Sequence, residues 1–422
     1  MLILIGSSMN LSAQTAKEFG TIWDEGHISN KFPSDVRHSD LKVYIEQLRK
    51  IGVSASEVGK SGAGREIYQL EFGSGPLKVF LWSQMHGDEP TATSALIDLF
   101  AYLEKNKSEP GIKDIATKLT LRAVPMLNPD GAEGFTRVNL QNLDINRDAV
   151  KLRTPEARLL KELHNAWHPN IGFNLHNQKY LTTVGPTNAQ ASVSLLVVYG
   201  DAAKTTNDGI ERNKRLAAAM VRALEQFIPG HIARYDDEYT ASAFGDNFTA
   251  WGTPVILVET GGLYGKDESF LVKMNFVAYM TALRALATGS EKNEDPGAYL
   301  TLHENSSGGL VNFVFRSASV GGKNVDIAGV TERTRASAFQ PVRIRSVGNI
   351  GKVSGLEEYD ASGFNVVPRF STLKPGELME LLFYRTARSI DLNAAGLEGT
   401  EPPDAIFSGG KWLKGEGVVP RK

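Results

Sequence analysis

Cysteine is absent from all 422 residues. That removes thiol nucleophiles, thiolate metal ligands and disulfide bridges together, so any metal must be held by His, Asp and Glu. A surplus of one charge is missing too: 46 Lys and Arg stand against 48 Asp and Glu, for a formal net charge of −2. A near-neutral chain with dispersed basic residues has no broad attraction for nucleic acid or anionic lipid, and neither is expected as a partner. Beyond the N-terminus there is no unbroken apolar run of bilayer length, so no membrane span is expected. No internal repeat and no phosphate-loop glycine spacing is found.

The remaining composition is that of a globular protein, 41% hydrophobic and 22% charged. Its length favours two domains over one core. Residues 1–14 form a short apolar run followed by small residues, which reads as the remnant of a secretory signal peptide; the expected location is therefore periplasmic or secreted. From 15 to 290, short β-branched runs alternate with amphipathic stretches, the pattern of an α/β layer architecture. Strands are expected at Lys78–Trp82, Leu119–Met126, Ile171–Leu175, Ser194–Tyr199 and Val255–Val258. Helices are expected at Thr91–Leu103, Glu156–Trp167, Glu211–Phe227 and Ser269–Thr288. Thr154-Pro155 supplies a cap and a first-turn proline for the second of these helices. A polar stretch with a Pro-Gly pair, Gly289–Gly297, reads as a linker. Residues 298–422 then read as a β-rich module of unassigned role, with strands at Leu310–Phe315, Val342–Val347 and Leu378–Tyr384.

Three places carry residues that packing explains poorly. His86-Gly-Asp-Glu89 follows the Lys78–Trp82 strand, and a His and a Glu three apart on a tight turn can face one cation; a chance surface loop reads the same way. His176 ends the Ile171–Leu175 strand and could complete a three-ligand site with an open position, the catalytic arrangement of zinc. A hydrogen-bonded strand-end histidine is the plainer alternative. Glu259 follows Val255–Val258 directly and precedes two glycines, where a buried glutamate needs a partner.

A fourth stretch, Asn128-Pro-Asp-Gly131 with Arg137 and Asp144-Ile-Asn-Arg147, joins these in order. Together the motifs resemble the zinc carboxypeptidase family, the carboxypeptidase A-like metallopeptidases, over about residues 38–288. The resemblance implies a three-layer α/β/α sandwich around a mixed sheet, with the β-rich C-terminal domain outside it. It implies one zinc ion held by His86, Glu89 and His176, the two-His, one-Glu set that the family typifies. It implies that Asp144 orients His86, that Arg137 stabilises charge on the scissile carbonyl oxygen and that Glu259 is the general base. It implies that Arg65, Asn146, Arg147 and Tyr239 receive a peptide substrate, the guanidinium fork suiting a terminal carboxylate. The expected activity is zinc-dependent release of C-terminal residues from peptides.

Two departures bear on substrate. Asp148 follows Asn146-Arg147, a pattern closer to bacterial members, including those acting on cell-wall peptides. Gly245 falls near the expected specificity pocket and selects neither a basic nor an aromatic side chain. A zinc amidase acting on murein-type peptides or acylated amino acids is the rival reading, and a non-catalytic peptide- or glycan-binding protein a more distant one. His164 and His168, four apart on a helix, lack the glutamate of a helical zinc motif and read as solvated or capping residues. Asp236-Asp-Glu238 reads as a solvated acidic loop.

Overall fold

A computed structural model describes residues 7–370, 372–394 and 396–422, with side chains at the N-terminus from Ala16 onward. The segment 1–14, expected to be a leader remnant, lies outside the described residues except for the backbone of a helix, Ser7–Gly26. The chain divides into two compact units: residues 1–185 with 189–305, and residues 306–422 with 186–188. The change of unit thus falls at 305/306, some residues beyond the polar Gly289–Gly297 stretch.

The first unit is built on an eight-stranded mixed sheet. Its strands, in spatial order, are Ser54–Lys60, Glu66–Gly73, Leu119–Val124, Leu77–Ser83, Ile171–Asn177, Val255–Thr260, Val193–Val198 and Ile232–Arg234. The four central strands, from Leu119–Val124 to Val255–Thr260, pair in parallel. Strands buried on both faces need continuous apolar composition, and Val193–Val198 and Val255–Thr260 are buried at every position.

Side-chain alternation divides these strands between two layers of core. One face carries Val79, Leu81, Phe173, Leu175, Ile256 and Val258, packed with residues of helices Thr91–Lys105, Asp208–Leu224 and Glu268–Thr288. The other carries Phe80, Trp82, Val255 and Leu257, covered by Leu160 and Trp167 of helix Pro155–Trp167 and by Phe244 and Phe248 of helix Phe244–Ala250. The three-layer α/β/α arrangement is the one expected. Thr154 caps the Pro155 helix as anticipated, its side chain accepting the Ala157 N–H at 3.1 Å.

Helix Glu268–Thr288 is long and apolar enough to cross a membrane by length and composition, a feature passed over in the sequence. Its apolar window is 72% buried inside the protein, the condition of a core helix. The N-terminal helix is fastened to the same layer through Asp98 of helix Thr91–Lys105. The Asp98 carboxylate accepts from Trp23 Nε1 (2.9 Å), Ser29 Oγ (2.7 Å) and the backbone N–H groups of Ile28 and Ser29 (both 2.8 Å). Ala16, Phe19 and Trp23 are buried beside it.

The second unit is a β-module. Its sheet runs Val342–Gly348, Lys323–Thr331, Leu310–Val320, Phe364–Pro368, Leu381–Arg385, Ala405–Ser408 and Lys411–Lys414, with Ser354–Asp360 also paired to Leu310–Val320. The expected Leu310–Phe315 strand stops where the register shifts, between Phe315 and Ala318, and Ser317 there has φ +58°. Phe315, Phe383, Phe407 and Trp412 cluster in its core. Arg316 forks onto both oxygens of Glu358 (3.1 and 2.9 Å) and reaches Asp326 at 3.2 Å.

Candidate metal centre

Parallel strands deliver their carboxyl ends to one edge of a sheet, where α/β proteins usually bind ligands. His86 and Glu89 lie in the turn after Leu77–Ser83, and His176 near the end of the neighbouring Ile171–Asn177 strand. His176 and Glu259 are register partners on adjacent strands and share a face.

Local sequence holds the His86 turn rigidly. Gln84 takes a left-handed backbone (φ +51°); its amide donates to Gly87 O at 2.9 Å and accepts from Thr93 Oγ1 at 2.7 Å. A Cβ on Gly87 would lie 1.9 Å from the carbonyl carbon of Gly131, so the two loops touch backbone to backbone and only glycine fits. Asn128 caps the opposing turn, accepting from Gly131 N–H at 2.9 Å, and its amide donates to Met85 O at 3.2 Å. Asp130 gathers Ser61 Oγ (2.8 Å), Ala63 N–H (2.9 Å) and Arg65 Nη1 (2.6 Å). The Asn-Pro-Asp-Gly motif is thus scaffolding for the His86 turn and for Arg65.

His86, Glu89 and His176 converge, with ligand-capable atoms all within 4.8 Å of one another and all three residues buried. His86 Nδ1 is 3.1 Å from His176 Nδ1 and 2.9 Å from Glu89 Oε1, and His176 Nδ1 is 2.7 Å from Glu89 Oε2. Two ring nitrogens bound to one tetrahedral zinc at about 2.0–2.1 Å each would sit about 3.3–3.4 Å apart, so this spacing and the N, N, O donor set fit zinc. The far nitrogen of His86 meets Asp144 Oδ1 at 3.1 Å, the contact that fixes a ligand histidine's tautomer. His176 Nε2 has no such partner among the described residues. Arg137 bridges Glu89 Oε1 and Asp144 Oδ2, both at 3.1 Å.

Burial and neighbouring charge set the protonation of this group. Burial opposes the charged form of His86, but Glu89 and Asp144 outweigh it and push the imidazole up to about 9. For His176 burial prevails over Glu89, and the imidazole is held below its ordinary value. Burial disfavours the Glu89 carboxylate, yet the two histidines hold it well below the usual range. For Glu259, burial first and then the Glu89 charge outweigh the opposing pull of His86 and Arg137 and push its carboxyl well above the usual range.

The other expected substrate residues lie on the Ile145–Arg147 turn and in the loop before helix Phe244–Ala250. Asn146 Oδ1 accepts the Phe244 N–H at 2.9 Å, tying the Asp144–Arg147 stretch to helix Phe244–Ala250. Arg147 is exposed, and Tyr239 lies half-buried in the loop before that helix. A second tyrosine, Tyr235, was not anticipated. Its hydroxyl is held well above the ordinary value, first by the Glu259 charge and then by burial, and the residue packs against the cluster of Trp82, Phe244 and Leu257 on that face of the sheet. Only its place just after the Ile232–Arg234 strand could have signalled it.

The decoys resolve locally. His168 ends its helix with φ +49°, while His164 is not solvated: its Nε2 meets Thr253 Oγ1 at 3.1 Å and its ring stands against Phe248. Asp237 of the acidic loop pairs with Lys204 at 2.7 Å.

Residues 43–176 match the family model described as zinc carboxypeptidase, the stretch that holds His86, Glu89, Asp144 and His176. The resemblance carried by the motifs is therefore borne out. Carboxypeptidase 2 of Trichophyton tonsurans is 31% identical over 110 residues, 26% of this chain and 20% of that protein. Carboxypeptidase D of Mus musculus is 26% identical over 139 residues, 28% of this chain and 10% of that protein. The chain thus aligns with about a fifth or less of the length of these curated relatives. Among solved structures, a metallo-carboxypeptidase of Pseudomonas aeruginosa is similar with a TM-score of 0.48 and 18% identity, covering 60% of this chain and 69% of that one.

Proposed function

We propose that this chain is a zinc-dependent carboxypeptidase that removes C-terminal residues from peptides. The observation that supports it most is the buried His86–Glu89–His176 trio, standing on adjacent strand ends with Glu259 on the same face. These three residues would hold the ion, with Asp144 orienting His86. When bound, zinc lowers the pKa of a water towards about 7 and polarises a carbonyl.

The chain's own groups supply the rest. The Glu259 carboxylate takes a proton from the attacking water as the water oxygen bonds to the scissile carbonyl carbon. The same carboxyl then passes the proton to the departing nitrogen as the C–N bond breaks. Burial that raises its proton affinity suits it to both steps. Arg137, beside Glu89 and Asp144, carries the positive charge that offsets the developing negative charge on the carbonyl oxygen. Arg65 is held by Asp130, and with Asn146, Arg147 and Tyr239 it would receive the terminal carboxylate. An exported location suits such an enzyme and remains a proposal from residues 1–14.

The test incubates purified protein, with and without a chelator, with peptides bearing free or amidated C-termini. Chelator-sensitive loss of one residue from the free acids alone is the expected result. His176→Ala should lose both zinc, measured by metal analysis, and turnover. Zinc content without peptide cleavage would sink the carboxypeptidase reading in favour of an amidase on murein-type peptides or acylated amino acids.

A further inference from the structure

Asn174 is only 3% exposed, and its amide oxygen Oδ1 has no hydrogen-bond partner among the described residues. Leaving a buried acceptor unmet is costly, and nothing about the strand demands an amide there. Its neighbours pointing to the opposite face, Phe173 and Leu175, are plain core.

Position gives the amide a use. Alternation places Asn174 on the face of His176, two residues and about 6.6 Å along the strand. Register sets Leu257 on one side of it and Trp82 on the other. Across from it stands Gly245, where an added Cβ would lie 3.3 Å from Asn174 Nδ2 and 3.7 Å from Val198 Cγ1. Any larger side chain at 245 would cover the amide. The neighbouring Phe244 N–H is the group held by Asn146, so Asn174 lies on the side of the cleft assigned to the terminal carboxylate.

We infer that Asn174 selects the side chain of the substrate's C-terminal residue, an inference resting on the carboxypeptidase reading. The favoured side chains are neutral and carry a hydrogen-bond donor, the carboxamides of glutamine and asparagine foremost. A carboxamide offers N–H to Oδ1 and a carbonyl to Nδ2, meeting both halves of the Asn174 amide. An aliphatic side chain leaves Oδ1 unmet.

The experiment measures kcat/KM for matched peptides ending in glutamine or leucine, with wild type, Asn174→Leu and Asn174→Ala. Calorimetric binding of free L-glutamine and L-leucine to the same proteins runs beside it. The wild type should favour glutamine by about tenfold or more, the scale of one buried hydrogen bond, and both variants should lose that preference. A glutamine-to-leucine ratio unchanged in a folded variant overturns the assignment, as does a wild type that prefers leucine. If the wild type cleaves no peptide, the carboxypeptidase reading falls. Calorimetry then decides the pocket by itself: glutamine binding abolished in the variants upholds it, and absence of glutamine binding to the wild type refutes it.

Discussion

Leu175 and Val258 stand side by side on the main sheet, fully enclosed among aliphatic neighbours of the helical layer. One residue further along each strand, on the opposite face, stand His176 and Glu259, equally buried but surrounded by ring nitrogens, carboxylates and an unmet amide. The two faces share backbone, register and depth, so burial alone does not tell core from site. What differs is whether each buried group finds a partner that lowers its free energy. Burial raises both carboxyls, but on the helical face Asp98 meets four donors that pull it back, whereas on the other face the Glu89 charge pushes Glu259 further up and His176 keeps an idle nitrogen. Strain of that kind is what a site retains when its ligand would relieve it.

Substitutions on the two faces should therefore separate chemistry from folding. The largest effect is expected at Glu259→Gln: turnover of a free-acid peptide should fall about 10²–10⁴-fold, while metal content and the thermal midpoint stay near wild type. Near-normal activity would remove Glu259 from its role. Next comes Leu175→Ala, which should cost about 2–5 kcal/mol in denaturant unfolding by leaving a cavity, with kcat per folded molecule little changed. Asp98→Ala should follow at about 3 kcal/mol, because buried donors lose a charged acceptor, again without loss of zinc. A collapse of zinc binding in that variant would break the division between the faces. The smallest effect belongs to Asp144→Asn, expected to weaken zinc about 10–100-fold in a competition titration with little change in folding.

Much of this was legible before any coordinates. The β-branched runs gave the central strands because parallel strands buried on both faces must be apolar throughout, and Thr154-Pro155 marked a helix start through its own capping chemistry. The ligand trio was readable because His and Glu at strand ends have few structural reasons to be there. Less visible were the strands Ser54–Lys60, at the sheet's edge, and Glu66–Gly73 beside it, both of mixed polar composition. The fold of Asp130 onto Arg65 and Ser61 depends on contacts across some 65 or more residues of chain, which spacing cannot reveal. Tyr235 and Asn174 escaped for a similar reason. Each looks ordinary in its own segment and gains meaning only from what the neighbouring strand sets beside it.

The Asp98 anchor also bears on how the gene can be trimmed for production. A shortened version beginning near residue 31 would delete every partner of that carboxylate, along with Phe19 and Trp23 from the core. It would leave a bare buried charge beneath a newly uncovered greasy surface, a recipe for inclusion bodies. Cloning boundaries that respect Ala16 onward keep this clasp whole.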